Sequence, residues 1–264
     1  MNNTTPIKMA HIAPTAIMGT AAEYSDGVYM ALQHLCKPGS PYVDGMKRVA
    51  EANYVYLDNS AFELGKSCST EDLIQAGKLI NANCLILPDG RQSREEVAEV
   101  KQAGFDVMVI PARQSDMGPQ TMEALDRGDM GLQFMEALDR EDIDFVGLSY
   151  THASAYMGLD VHNVTSRDKF LGRFVNPNVS KKIHLLGATL PEEAILLRKF
   201  SEFIYSWDSS MCAWSGVHTQ TIDGLDAKFS IPVDFDSELE WTNEASYNVA
   251  YMKGLLDVRA VYNG

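Results

Sequence analysis

Short runs of β-branched and aliphatic residues alternate with helix-like stretches along most of the chain, and this alternation limits the fold more than any other feature. Ile7–Ala13, Tyr54–Leu57, Cys84–Leu87, Asp106–Ile110, Asp144–Leu148, Ile183–Leu186 and Phe203–Ser206 read as strands. Each is mostly apolar on both faces, the pattern of strands in a parallel sheet covered by helices. Between them, Tyr24–Leu35, Tyr42–Ala52, Thr70–Ile80, Ser93–Ala103, Pro119–Arg140 and Val164–Phe174 read as helices, and Pro191 opens another. Ser69 or Thr70 is placed to cap one of these, and Gly104 to stop another.

Repeated β-α units build either an open doubly wound sheet or a closed barrel. No G-x-G-x-x-G opens an early helix, which weighs against a dinucleotide-binding sheet. The expected fold is therefore α/β, a single TIM-like (β/α)8 barrel spanning residues 1–264. An acidic and then helical segment at 223–264 is expected to pack on it. Its 264 residues suit one such barrel. Seven strands are visible. The eighth is expected between Gln33 and Val49 or in the last third.

No apolar run approaches the ~18–20 residues that span a bilayer. The opening MNNTTPIKMAHIAPTA lacks a secretory pattern. A cytoplasmic protein without membrane contact is expected. Cys36, Cys68, Cys84 and Cys212 are scattered, with no close pair, so they read as core thiols rather than a disulfide framework or zinc site. The formal net charge of −14 argues against indiscriminate nucleic-acid binding.

Barrel enzymes place their chemistry at the carboxyl ends of the strands. Those ends deliver Asp58, Asn59 and Ser60, then Asp89, then Arg113 and Gln114. Later ends deliver Ser149 and His152, then Gly187, then Asp208. An aspartate at a strand end is also a common turn former or helix cap. Three at one mouth would raise one another's pKa, a cost typical of functional sites. Two such carboxylates separated by a base-sized gap can carry out glycosidic chemistry, one attacking and one handling protons. Phe62 is either an aromatic stacking on a planar ligand or a core residue. His184, inside an apolar strand, reads as a core or barrel-lining side chain. No H-E-x-x-H and no G-x-S-x-G occurs, and neither metal nor cofactor is expected.

Four ordered segments carry a resemblance. Leu57-Asp58-Asn59-Ser60-Ala61-Phe62-Glu63 resembles the D-S-G-G-F-Q segment of tRNA-guanine transglycosylases. Leu85–Asp89 is similar to that family's base-recognising strand, and His184–Glu193 to its G-V-G-x-P-E-D-L segment. Phe203–Ser209 stands in the place of its nucleophile strand. The opening, with His11–Pro14 and Met30–Leu35, looks more like phage-borne relatives that insert 7-deazaguanine bases into DNA. The resemblance implies a base-exchange enzyme in which Asp208 attacks the sugar and Asp58 assists proton transfer. It further implies that Asp89 reads the base, Phe62 stacks on it, and Asn59, Ser60, Gly187, Ser149 and His152 line the site. Apart from the resemblance, Arg91 and Arg113, with Arg94, Lys181 and Lys182, read either as a local phosphate-binding patch or as ordinary solvated surface.

Ala61 and Glu63 depart from the family pattern, as does Ile110-Pro111-Ala112-Arg113-Gln114. The zinc site and the tRNA-binding extension are absent. These departures favour DNA over tRNA as acceptor. They leave open an N-glycoside hydrolase, a non-catalytic base-binding relative, and homo-oligomer formation. A phage-encoded protein would act in the host cytoplasm.

Overall fold

The computed structural model describes residues 6–90, 92–111, 127–161, 163–176, 179–187, 190–224 and 234–256. Among these, parallel strands close a barrel in sequential order. The strands are β1 (Lys8–His11), β2 (Val28–Leu32), β3 (Tyr54–Asp58), β4 (Cys84–Ile86), β5 (Asp106–Val109), β6 (Phe145–Ser149), β7 (Lys182–Leu186) and β8 (Ile204–Ser209). β8 pairs back onto β1, with Lys8 opposite Ser206 and Ala10 opposite Asp208. The expected (β/α)8 barrel is present.

Most of the helices lie outside the strands. They are α1 (Met18–Glu23), α2 (Pro41–Ala50), α3 (Ala61–Leu64), α4 (Thr70–Ile80), α5 (Arg94–Gln102), α6 (Arg127–Asp139), α7 (Tyr150–Met157), α8 (Ser166–Phe174), α9 (Pro191–Leu197), α10 (Met211–Val217) and α11 (Asn243–Leu256). Their starts follow local chemistry. The Ser69 hydroxyl accepts from the Asp72 N–H at 3.1 Å. Ser93 and Glu96 form a reciprocal capping box at the start of α5. Pro41 and Pro191 occupy first-turn positions, where no N–H is needed.

Two apolar layers result. Ala10, Val28, Met30, Tyr56, Ile86, Met108 and Phe145 fill the barrel interior. A larger layer between strands and helices includes Met9, Leu57, Leu85, Val107, Val146, Leu185 and Trp207. Alternating residues of one strand thus serve two cores, which is why the runs are apolar on both faces.

The eighth strand corrects the sequence reading. β2 lies within the stretch expected to be the helix Tyr24–Leu35, and in neither place where the missing strand was sought. All five of its residues are buried. A short run that is apolar throughout has no period by which strand and helix differ. Gly27, at φ 75°, opens it in a conformation that glycine adopts without strain. The expected helix over Pro119–Arg140 is described only for α6, and residues 119–126 lie outside the described residues.

The C-terminal helix packs directly on α10. Asn248 is fully buried. Its Oδ1 accepts from the Ile222 N–H at 2.8 Å, and its Nδ2 faces the Gln220 carbonyl at 2.9 Å and Ser215 Oγ at 3.1 Å. A Cβ placed on Gly216 would lie 2.2 Å from the Ala245 Cα, so the backbones meet where only glycine fits. Gly216→Ala is expected to destabilise the protein by about 2–3 kcal/mol, because α11 must lift away. Chemical denaturation measures this, and a loss below about 0.5 kcal/mol would show that the two helices are not locked together.

Candidate active site

The position of Asp208 depends on a one-residue irregularity. Ile183 pairs with Ile204, but His184 pairs with Ser206, so β8 carries Tyr205 as an extra residue against β7. An extra residue changes which side chains face inward from that point on. Ile204 packs in the outer layer. Tyr205 and Ser206 both reach inner-layer groups. Trp207 then points outward, and Asp208 points into the barrel beside His184. Without the bulge Trp207 would enter the barrel and Asp208 would face the helices.

Among the described residues, Asp208 is held on one side only. Its Oδ1 lies 3.0 Å from His184 Nε2 and accepts from the Gly187 N–H at 3.2 Å. Oδ2 has no hydrogen-bond partner among the described residues. His184 Nδ1 lies 2.7 Å from Ser206 Oγ, which lies 3.0 Å from Tyr56 Oη. His184, Ser206 and Tyr56 are all fully buried.

Asp58 ends β3 on the inward face. Its Oδ2 accepts from the Ser60 N–H at 3.0 Å, so the turn-forming role foreseen for such a residue is present as well. Ser60 sits at φ 57°, a strained setting for a non-glycine residue. Its hydroxyl lies 3.2 Å from the His34 backbone nitrogen and 3.0 Å from His34 Nδ1. Asn59 ties this turn to β4 by donating to the Leu87 carbonyl at 2.9 Å.

Burial, then the charge of Glu63, pushes the Asp58 carboxyl up to about 8; Asp208 and Asp89 add to the rise, and the Ser60 N–H opposes it. Asp58 therefore keeps its proton at neutral pH. Asp89 stands 3.6 Å from His152. Burial raises the Asp89 carboxyl, while His152 and the Asn59 side chain pull it back. Burial lowers His152, against the pull of Asp89.

Asp58, Asp89 and Asp208 thus meet within electrostatic reach at one end of the barrel. Asn59, Ser60, Gly187 and His152 surround them through the contacts above. Ser149 ends β6 nearby, with its hydroxyl 2.7 Å from that of Thr151.

Other expectations are corrected. Phe62 is 79% exposed, neither core nor a buried stacking partner. It rides on α3, a four-residue turn between left-handed Ser60 and Gly65. Lys181 and Lys182 lie at the start of β7, the opposite end from the carboxylates. Lys181 Nζ is occupied by the Arg140 and Ile143 carbonyls, and Lys182 sits over the Tyr205 ring. Arg91 and Arg113 lie outside the described residues. A cleft of about 880 Å³ opens beside β5 and α6, lined by Gln92, Arg94 and Arg140 among others, and holds none of these aspartates. Among the described residues no group of three or more His, Cys, Asp or Glu is arranged to hold a metal ion, and no helix is long and apolar enough to cross a membrane.

Sequence reasoning also missed a buried ion pair behind the site. Arg167 Nε and Nη2 each lie 2.6 Å from a Glu193 oxygen. Nη1 donates to the Leu186 carbonyl at 2.8 Å, and Nη2 to the Gly187 carbonyl at 3.2 Å. The Trp207 ring lies 5.9 Å away. This clamp fixes the peptide whose N–H reaches Asp208. A charged residue in the first turn of a helix resembles any solvated one in sequence, so only the acidic Glu193 near Pro191 offered a signal, and that reads as first-turn helix charge.

No family model matches the sequence, and no curated protein matches it. Solved structures share the fold. Phosphoribosyl anthranilate isomerase from Thermococcus kodakaraensis aligns over 98% of this chain and 100% of its own, with TM-score 0.54 and 14% identity. An HpcH/HpaI aldolase/citrate lyase family protein from Burkholderia cenocepacia J2315 aligns over 83% and 93%, with TM-score 0.57 and 9% identity. N-(5'-phosphoribosyl)anthranilate isomerase from Pyrococcus furiosus aligns over 94% and 99%, with TM-score 0.50 and 12% identity.

These barrels correct the resemblance to tRNA-guanine transglycosylases, and with it the expected base exchange and glycosyltransferase assignment. The matched segments are strand ends and their turns. Asp58-Asn59-Ser60 is a hydrogen-bonded turn of a kind that local chemistry favours wherever a strand must reverse.

Proposed function

We propose that the chain is an enzyme of general acid–base catalysis, moving a proton at carbon beside a carbonyl in a small neutral or cationic substrate. Asp208 is the base and Asp58 the acid. The observation that carries this reading is a pair of carboxylates at one mouth in unlike settings. One is held protonated up to about pH 8, and the other is pinned at Oδ1 with Oδ2 unpartnered among the described residues. Carboxyls in such unlike settings can divide acid and base roles between them. Asp89 and His152 are placed to bind polar groups of the substrate. The Glu63, Asp89 and Asp208 carboxyls disfavour an anionic substrate. The isomerase and aldolase/lyase names borne by barrels of this fold agree with the reaction class.

The test is deuterium wash-in. A panel of neutral hydroxyketones and aminoketones is incubated with the protein in D2O, and loss of the C–H signal is followed by proton NMR. Exchange is expected for at least one member, falling about 10²–10⁴-fold in Asp208→Asn. The rate should fall as pH rises through about 8, as Asp58 loses its proton. Failure of the whole panel to exchange, or exchange that survives in Asp208→Asn, rules the reading out.

A further inference from the structure

The polar chain beneath Asp208 has a dead end. Tyr56 Oη meets Ser206 Oγ and no other hydrogen-bond partner among the described residues. Its ring is enclosed by Tyr54, Phe145 and His184. A phenol in such a place keeps its proton and must give it to its one neighbour, since a buried unsatisfied O–H is costly. Ser206 Oγ therefore accepts from Tyr56, and its own proton points to His184 Nδ1. His184 Nδ1 is then an acceptor, and Nε2 carries the ring proton toward Asp208.

We infer that Tyr56 and Ser206 form a tautomer lock that fixes His184 as a neutral Nε2–H donor to Asp208, making all three positioning residues for that carboxylate. The order Asp208–His184–Ser206 has the connectivity of a serine-hydrolase triad, but its orientation is reversed. Ser206 is fully buried, and the carboxylate is the member at the mouth. Reversing the chain would turn the Tyr56 proton toward apolar neighbours. The lock thus opposes the Nδ1–H tautomer.

This inference deepens the acid–base reading and rests on its choice of Asp208, but its test needs no substrate. Protein labelled with 15N-histidine is examined by long-range proton–nitrogen NMR at pH 7, with His184 assigned by its loss in His184→Asn. A proton on Nε2 and none on Nδ1 is expected. In Tyr56→Phe, which keeps the ring packing, Ser206 is free to accept, and the Nδ1-protonated fraction should rise about tenfold. A wild-type Nδ1–H, or an unchanged pattern in Tyr56→Phe, overturns the inference. The wild-type spectrum decides alone if the variant does not fold. A locked His184 with no deuterium wash-in would sink the acid–base reading and leave the lock standing. Wash-in with an unlocked ring would do the reverse.

Discussion

Asp58→Asn is expected to be more stable than the parent protein by about 2–4 kcal/mol at pH 8.5, and nearly equal to it at pH 4. The parent carboxyl is raised to about 8 in the folded state, from an ordinary value near 3.8. A raised folded value means that the folded protein binds the proton more tightly than the unfolded chain. The contribution is fully present below about pH 4. It drains away as pH rises and is gone above 8, where the fold must hold a charged carboxylate beside Glu63, Asp208 and Asp89. Four pH units at about 1.36 kcal/mol each set the ceiling, and solvent at the mouth reduces it. Asparagine keeps the shape and an acceptor for the Ser60 N–H, but carries no charge. In melting experiments the gain reads as roughly 4–12 °C at alkaline pH. Equal stability of the two proteins at both pH values would mean that Asp58 is not held out of its ordinary range. A site that costs stability in this way is the usual signature of a group kept for function.

The second large effect concerns the clamp behind the site. Arg167→Met is expected to cost about 3–5 kcal/mol, because it leaves the Glu193 carboxylate buried without its partner. Unfolding in urea would show this as a lower midpoint with an unchanged slope. Adding Glu193→Met should recover most of the loss, since two apolar side chains of similar volume tolerate the same space. A single variant within 1 kcal/mol of the parent would show that the ion pair is not the anchor of this corner. The double variant is still expected to lose catalytic rate. Arg167 also binds the Leu186 and Gly187 carbonyls, and the Gly187 N–H that it steadies donates to Asp208.

Much of this architecture was legible beforehand, for reasons that particular elements make clear. β3, β4, β5, β6 and β7 are short apolar runs closed by turn residues, and the helices after Ser69 and Ser93 announce themselves by their caps. Asp58 and Asp89 were found because strand ends in a barrel share one mouth. β2 stayed hidden because Val28–Leu32 is buried on every side and carries no period. The exposure of Phe62 was not legible, because a single aromatic after a strand end carries no sign of which way its turn faces.

The sequence by itself determined the alternation of strand and helix, the closed parallel barrel and the acids at its rim, because those follow from local propensity and the burial of both strand faces. Tertiary structure alone decided the inward aim of Asp208, through one extra residue in β8 that no hydrophobic pattern reveals. It also decided the pairing of Asp208 with His184 and of Arg167 with Glu193, residues 24 and 26 positions apart. Such contacts depend on register and on which strands become neighbours, and those are settled only when the barrel closes.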